Sequence, residues 1–320
     1  MNKFLIIQTA FIGDVILATA IIEKLNQFYP DAKIDFLLRK GNEGLLENHP
    51  IINDIIIWDK KNKKYENLKA ISRSVKRQHY DVVVNLQRFA SSGMITAFSG
   101  AKHKLGFKKN PLSFSFTRRF EHKIGNGTHE VERNQQLIAA LTEDIASKPK
   151  LYPSNKDYSD VEEYKKTDYV CMAPTSVWAT KELPKEQWVK LINKTNDQTA
   201  VYLLGGSVDF EKCEEIKQSS NNKNVINLSG KLSFLASAAL MQQAQMNYVN
   251  DSAPLHIASA MNAPVTAYFC STIPSFGFGP LSDNKTIVEV KEDLECRPCG
   301  LHGKKECPKG HFNCGFKIDI

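Results

Sequence analysis

The chain has 320 residues, 42% hydrophobic and 24% charged, which excludes a disordered or fibrous protein and, at this length, favours two hydrophobic cores over one. The best apolar run, Phe4 to Ile22, carries Gln8 and Asp14, so it falls short of both a membrane span and an uncharged secretory core; a cytoplasmic protein is expected, with its seven cysteines as thiols or metal ligands. The net charge of +7 is lopsided, with 24 Lys and Arg against 15 Asp and Glu in residues 1–150 and 18 against 20 in the rest.

Along the chain, short continuous apolar runs alternate with helical patterns. Lys3–Ile7 reads as a buried strand and Asp14–Tyr29 as an apolar helix stopped by Pro30; Lys33–Leu38, Ile55–Trp58 and Val82–Leu86 are further strands. Residues Leu151–Asp168 are polar, contain Pro153 and lack a sustained apolar period, so the interdomain linker is expected there. The rhythm restarts with a strand at Tyr169–Ala173 and a helix at Lys185–Thr195. Strand Thr199–Leu204, helix Asp209–Gln218, the short run Val225–Leu228 and helix Ser233–Gln243 follow. Strand Asn247–Val249, helix Ala253–Met261 and strand Val265–Phe269 complete it. Continuous rather than alternating apolar strands indicate parallel sheets covered on both faces, hence two successive α/β, doubly wound halves. Ligands in such folds sit at the carboxyl ends of the strands, here expected in a cleft between the halves.

The first strand ends in Gln8-Thr9-Ala10-Phe11-Ile12-Gly13-Asp14, which lacks both the G-x-G-x-x-G dinucleotide fingerprint and a P-loop. Asp14 at the helix start has two readings. It can cap the helix, worth about 1 kcal/mol. Alternatively it can act as a general base, kept ionised by the helix dipole.

Three loops of the second half join strand to helix and carry groups suited to anions. In Ala173-Pro174-Thr175-Ser176-Val177-Trp178-Ala179-Thr180-Lys181, hydroxyls stand beside one lysine, a reasonable diphosphate site. Gly205-Gly206-Ser207, with Asp209 and Glu211 behind it, permits close approach of a ligand and offers acids to ribose hydroxyls; an ordinary turn capped by Asp209 is the alternative. In Asn250-Asp251-Ser252-Ala253-Pro254-Leu255-His256, the proline suits a first helical turn and the backbone amides of Ser252 and Ala253 face an anion, with His256 within reach.

Taken together, Gly13-Asp14-Val15-Ile16, the Ser176…Lys181…Pro184 loop and Asp251-Ser252-x-x-x-His256 resemble glycosyltransferase family 9, the heptosyltransferases of the lipopolysaccharide inner core. The resemblance runs over nearly the whole chain. It implies a GT-B fold of two Rossmann-like domains facing a central cleft: an acceptor domain over residues 1–155 and a nucleotide-sugar domain over 165–320. It implies inverting transfer of a heptose from ADP-heptose, with Asp14 as the base and Ser176 and Lys181 on the diphosphate. Ser252, Ala253 and His256 would complete that cradle, Asp251 would lie near the sugar, Leu232 would line the adenine pocket and Glu211 would meet the ribose. In oxocarbenium-like transfer the departing diphosphate gains charge that an ammonium and helix amides stabilise, so no metal or other cofactor is required. The acceptor implied is an anionic glycolipid met at the inner membrane surface; Lys64, Arg88, Arg118 and Arg119 are its candidate contacts, among the basic residues Lys60, Lys61, Lys63, Lys104, Lys108 and Lys109. One departure is Ala253, where the family usually has glycine.

The tail holds Cys296, Cys299, Cys307 and Cys314, with His302 and His311 among them. A C-x-x-C pair with two further cysteines could bind a structural zinc, although the second pair is not C-x-x-C; free thiols packing the tail and a redox role are the alternatives. Two competing functions remain at this level. One is a GT-B transferase or epimerase using another nucleotide-hexose. The other is a nucleic-acid module, which the basic half allows but which has neither zinc-finger spacing nor an aromatic recognition pattern to support it.

Overall fold

The computed structural model describes all 320 residues. They divide into two compact units, one of residues 1–124 with 128–152 and the other of residues 125–127 with 153–320. Each unit is built on a six-stranded parallel sheet.

The first unit contains strands β1 (Lys3–Ile7), β2 (Lys33–Arg39), β3 (Ile52–Trp58), β4 (Val82–Asn85), β5 (His103–Phe107) and β6 (Arg118–Phe120), in the spatial order β3-β2-β1-β4-β5-β6. Its helices are α1 (Ile12–Phe28), α2 (Lys64–Arg77), α3 (Ala90–Phe98) and α4 (Glu130–Gln135). The second unit runs α5 (Asn155–Asp160), β7 (Tyr169–Ala173), α6 (Lys185–Lys194), β8 (Ala200–Leu203), α7 (Phe210–Ser219) and β9 (Val225–Asn227). It continues with α8 (Phe234–Gln243), β10 (Met246–Asn250), α9 (Ala253–Ala260), β11 (Val265–Phe269), β12 (Lys285–Glu289) and α10 (Asn313–Phe316), its sheet ordered β12-β11-β10-β7-β8-β9.

Both orders are the Rossmann order 3-2-1-4-5-6, counted from the first strand of each unit. The chain therefore reverses its direction of travel between β1 and β4 and again between β7 and β10. At such a point adjacent loops leave toward opposite faces and open a crevice at the carboxyl edge. The two central strands of the first sheet carry continuous apolar runs because both faces are covered: Phe4, Leu5, Ile6 and Ile7 are wholly buried, as are Val82, Val83 and Val84. In α1 the residues from Val15 to Leu25 are all buried, and its two buried charges are paired. Lys24 meets Glu143 at 2.7 Å, and Glu23 accepts from the Tyr152 hydroxyl at 2.8 Å. No helix is long and apolar enough to cross a membrane.

The polar stretch 151–168 differs from a bare linker. Ser154 caps α5 by accepting from the Asp157 amide, Asp157 accepts from Ser233 at the start of α8, and the Tyr158 hydroxyl donates to Gln242. Polar side chains rather than an apolar stripe fix this segment to α8, which is why hydrophobic period misses it. The cysteine tail is likewise built in. Cys314 and Ile318 are buried in the core of the second unit, and Gln187 of α6 donates to the carbonyls of Phe316 and Ile318.

Candidate active site

In the first unit, the loop between β1 and α1 is held from three sides. Gln87, just past β4, donates its amide to the Gln8 side chain and so ties the two loops of the switch point together. Asn42 donates to the Ala10 carbonyl at 3.1 Å, and Lys60 donates to the carbonyl and hydroxyl of Thr9 at 2.8 and 2.9 Å. Asp14 is the third residue of α1 and accepts from the Phe11 amide at 3.2 Å. The carboxylate therefore makes the capping contact at the start of α1.

The start of α1 favours an ionised Asp14, but its surroundings set its pKa well above that of an ordinary carboxylate. Burial pushes it up to about 6, Glu130 adds to the rise, and the Phe11 amide, its own amide and Arg39 only partly offset them. Glu130 itself is buried in the first turn of α4. Burial raises its pKa, but hydrogen bonds and charge from His122 at 3.1 Å and Arg133 at 2.7 Å prevail and hold it below its usual value. Lys60 is lowered to about 8, first by burial and then by Arg39 and Lys64. Neither Glu130 nor Arg39 stands out in the sequence, because each reaches Asp14 only through the folding of a separate element.

The basic candidates do not form one cluster. Lys64 begins α2, and the Arg88 guanidinium lies over the Phe89 ring, 5.4 Å from its centroid. Arg118 and Arg119 sit on β6, the edge strand on the other side of the sheet from β3 and α2, and their side chains point to opposite faces.

In the second unit, the loops after β7 and β10 meet at the switch point. Asn250 closes the seam, accepting from the Leu183 amide at 2.9 Å and donating to the Ala173 carbonyl at 3.3 Å. Above it, the Lys181 ammonium lies 2.6 Å from Asp251, and the Thr272 hydroxyl donates to the same Asp251 oxygen at 2.6 Å. The lysine is therefore a held cation rather than a loose one. Ser176 has its amide donated to Glu182 at 2.9 Å, and its hydroxyl accepts from the Trp178 amide at 3.3 Å.

Asp251 and Ser252 lead directly into α9, with His256 buried in its first turn. Of the two backbone amides expected to face an anion, that of Ser252 is occupied by the Asn250 carbonyl at 2.8 Å, because the chain bends tightly there. The Ser252 hydroxyl, however, is buried without a hydrogen-bond partner, so the serine's side chain rather than its amide is available to a ligand. The Gly205 loop lies against a second tight turn. The Gly230 amide donates to the Gly205 carbonyl at 2.9 Å, and at φ +74° a Cβ on Gly230 would stand 2.7 Å from Ser207. Leu232 follows that turn, partly buried, and Glu211 is exposed in the first turn of α7.

The tail reaches this site, which its sequence does not suggest. Thr180 exchanges hydrogen bonds with Lys304, its amide donating at 3.1 Å and its hydroxyl accepting at 2.7 Å. Arg297 donates to the carbonyls of Phe269, Cys270 and Thr272 at 3.1, 2.7 and 2.7 Å, and to Glu289 at 3.2 Å. The seven cysteines are all free thiols. Cys296 lies 4.0 Å from His311 and Cys299 donates to the Cys296 carbonyl, yet no group of three or more His, Cys, Asp or Glu side chains is arranged to hold a metal ion.

Two Rossmann-type sheets, each with polar groups gathered at its switch point, define a GT-B protein. The sequence profile of Glycosyltransferase family 9 (heptosyltransferase) matches residues 68–310, and the chain belongs to that family; it is a glycosyltransferase. It is 28% identical over 278 residues to lipopolysaccharide heptosyltransferase 3 of Escherichia coli K12, covering 81% of this chain and 80% of that protein. Among solved structures it resembles the family 9 glycosyl transferase of Veillonella parvula, with a TM-score of 0.80 and 19% identity, covering 89% of this chain and 85% of the other. It also resembles the E. coli ADP-heptose LPS heptosyltransferase II, with a TM-score of 0.79 and 20% identity over 93% and 96% of the two chains. The likeness to these two structures concerns the fold.

Proposed function

We propose that the protein transfers a heptose from ADP-heptose to a sugar hydroxyl of a lipopolysaccharide inner-core or related surface-glycan acceptor, with inversion at the anomeric carbon. The observation that carries this reading is the second switch point. There the Lys181 ammonium is held on Asp251, and the next residue, Ser252, carries a buried hydroxyl without a partner at the positive end of α9. That set suits a diphosphate better than a neutral ligand.

In the proposed reaction the acceptor oxygen attacks the anomeric carbon and its proton passes to the Asp14 carboxylate. The bond from that carbon to the diphosphate oxygen breaks, and ADP leaves with the bonding pair. Charge grows on the diphosphate in the transition state, where Lys181, Ser252 and the α9 amides stabilise it more than in the ground state. Asp251 and Thr272 act as positioning residues for the Lys181 ammonium. Ser176 and His256 complete the phosphate contacts, Leu232 and Glu211 serve the adenosine, and Ala253 keeps the backbone approach close with a single methyl. Lys64 and Arg88 meet acceptor anions; Arg118 and Arg119, on the far edge strand, are assigned a lesser part. The acceptor is presented at the surface of the cytoplasmic membrane.

The test is a thermal-shift titration with ADP, UDP, GDP and their sugar conjugates, on the native protein and on Lys181→Ala. Ligands that bind the native state raise the melting temperature by mass action. Stabilisation by ADP and ADP-heptose that disappears in Lys181→Ala supports the reading. Preference for UDP or GDP moves the substrate, and indifference to all of them removes it.

A further inference from the structure

Helices α2 and α3 pack side by side in the first unit and leave a groove of about 950 Å³ between their outer faces. The sequence builds it by splitting each helix. In α2, Leu68, Ile71 and Val75 repeat at helical spacing and turn their bulk to the core. In α3, Ile95 does the same. What remains outside is unusual for a soluble surface. Tyr65 and Phe98 are 78% and 60% exposed, and Phe89 and Met94 are exposed beside them, all four lining the groove.

The rim is equally one-sided. Five of the lining residues are cations, Lys60, Lys64, Lys69, Arg73 and Lys76, and none is acidic. A wholly apolar partner would leave these ammonium groups desolvated without a counter-charge, and a wholly polar anion would leave the aromatic walls exposed. The groove also begins at the reaction edge. Lys60 lines it while donating to Thr9, and Phe89 lies just beyond β4.

From this pairing of apolar walls and basic rim we infer that the α2–α3 groove is the face that docks on an anionic phospholipid bilayer. A lipid phosphate would meet the rim, and an acyl segment would lie along Tyr65, Phe89, Met94 and Phe98. The inference names the surface for the membrane presentation proposed above and so rests on that reading.

The experiment is co-sedimentation of the full chain with vesicles of phosphatidylglycerol and phosphatidylethanolamine, and with phosphatidylcholine alone. The native protein binds the anionic vesicles, less so as salt rises, and ignores phosphatidylcholine. Lys69→Ala/Arg73→Ala lowers the affinity by about tenfold or more. Tyr65→Ser/Phe98→Ser lowers it while keeping the salt dependence. Both variants are first required to keep the native response to ADP. If the native protein fails to bind anionic vesicles, or if both variants bind as it does, the inference is overturned. It is overturned equally if the substitutions instead abolish a concentration-dependent dimer, since the groove then takes a second copy. A native protein that responds to ADP but does not bind anionic vesicles counts against this face alone; an absent ADP response in the native protein counts against the transfer reaction.

Discussion

Lys181 and Asp251 form an ion pair of 2.6 Å across the two loops that leave β7 and β10, with side chains only 15% and 6% exposed. The pair spans the switch point of the second sheet and fixes the one cation there that the diphosphate would meet. Its partners are fixed in turn: Thr272 donates to Asp251, and the main chain of Thr272 accepts from Arg297.

Removing the lysine is therefore expected to act twice. Lys181→Met leaves a buried carboxylate without its counter-ion, a change that costs roughly 3–5 kcal/mol when a buried pair is broken from one side. It also removes the proposed phosphate contact. The expected outcome is a lower melting temperature together with loss of stabilisation by ADP. Lys181→Met/Asp251→Leu should recover much of the stability and none of the ADP response. Recovery of both would mean the pair is structural only, and differential scanning calorimetry with and without ADP reads the difference.

As the proposed base, Asp14 is expected to set the pH dependence of the proposed transfer. A base must be ionised, so kcat/KM is expected to fall as the pH drops through about 6. Glu130 contributes to the raised value, so Glu130→Gln should move that acid limb to lower pH. A rate profile unmoved by Glu130→Gln, in a protein that still folds, would detach Glu130 from the base.

The same shift has a consequence for stability. Asp14 has a folded pKa above its unfolded one, so its protonated form favours the fold at low pH and that contribution is lost as the pH rises through about 6. At pH 8 the ionised carboxylate thus destabilises the protein. Asp14→Asn keeps an acceptor for the Phe11 amide and removes the charge. It is expected to be inactive yet more stable than the native chain, by on the order of 1–3 kcal/mol at pH 8 and by little near pH 4. Thermal melts at the two pH values check this, and an equal effect at both would show that ionisation is not the cause.

Much of this fold is legible in the chain because its signals are local. Lys3–Ile7, Tyr169–Ala173 and Val265–Phe269 are continuous apolar runs, and each is a strand with those bounds. The strands β5, β6 and β12 escape the same reading: the edge strands Arg118–Phe120 and Lys285–Glu289 are half polar because an edge has a wet side. At the site, Asp14, Lys181 and Asp251 announce themselves as isolated charges just past apolar strands. What the sequence conceals is contact over distance. Glu130 lies 116 positions from Asp14, Thr272 lies 21 from Asp251, and Lys304 lies 124 from Thr180. No periodicity encodes such pairs, nor the tight bend that turns the Ser252 amide onto the Asn250 carbonyl.

Gly303 gives the tail a testable part in donor binding. It is buried, and a Cβ there would stand 2.5 Å from Trp178 and 2.9 Å from the Lys181 side chain. Gly303→Val must push away the Trp178–Lys181 loop, the proposed donor loop. The expected result is weaker ADP binding by isothermal titration with the acid limb of the rate profile unchanged, since Asp14 lies in the other unit. Native ADP affinity in Gly303→Val would mean the loop yields elsewhere.

Arg297 carries the same logic one step further from the ligand. Its guanidinium joins three carbonyls at and just past the end of β11 to the Glu289 carboxylate, a fan of donors in one plane. A lysine has the charge but not that spread, so Arg297→Lys leaves at least one carbonyl without a donor, at a cost of roughly 1–3 kcal/mol. If Thr272 then shifts, Asp251 loses a donor and the Lys181 ammonium loses its alignment. Arg297→Lys should therefore raise KM for the nucleotide-sugar by more than it lowers kcat, and Thr272→Val should reproduce the effect on its own. When combined, the two substitutions should be less than additive, because both act through Asp251. Full additivity would place Arg297 in the stability of the tail alone.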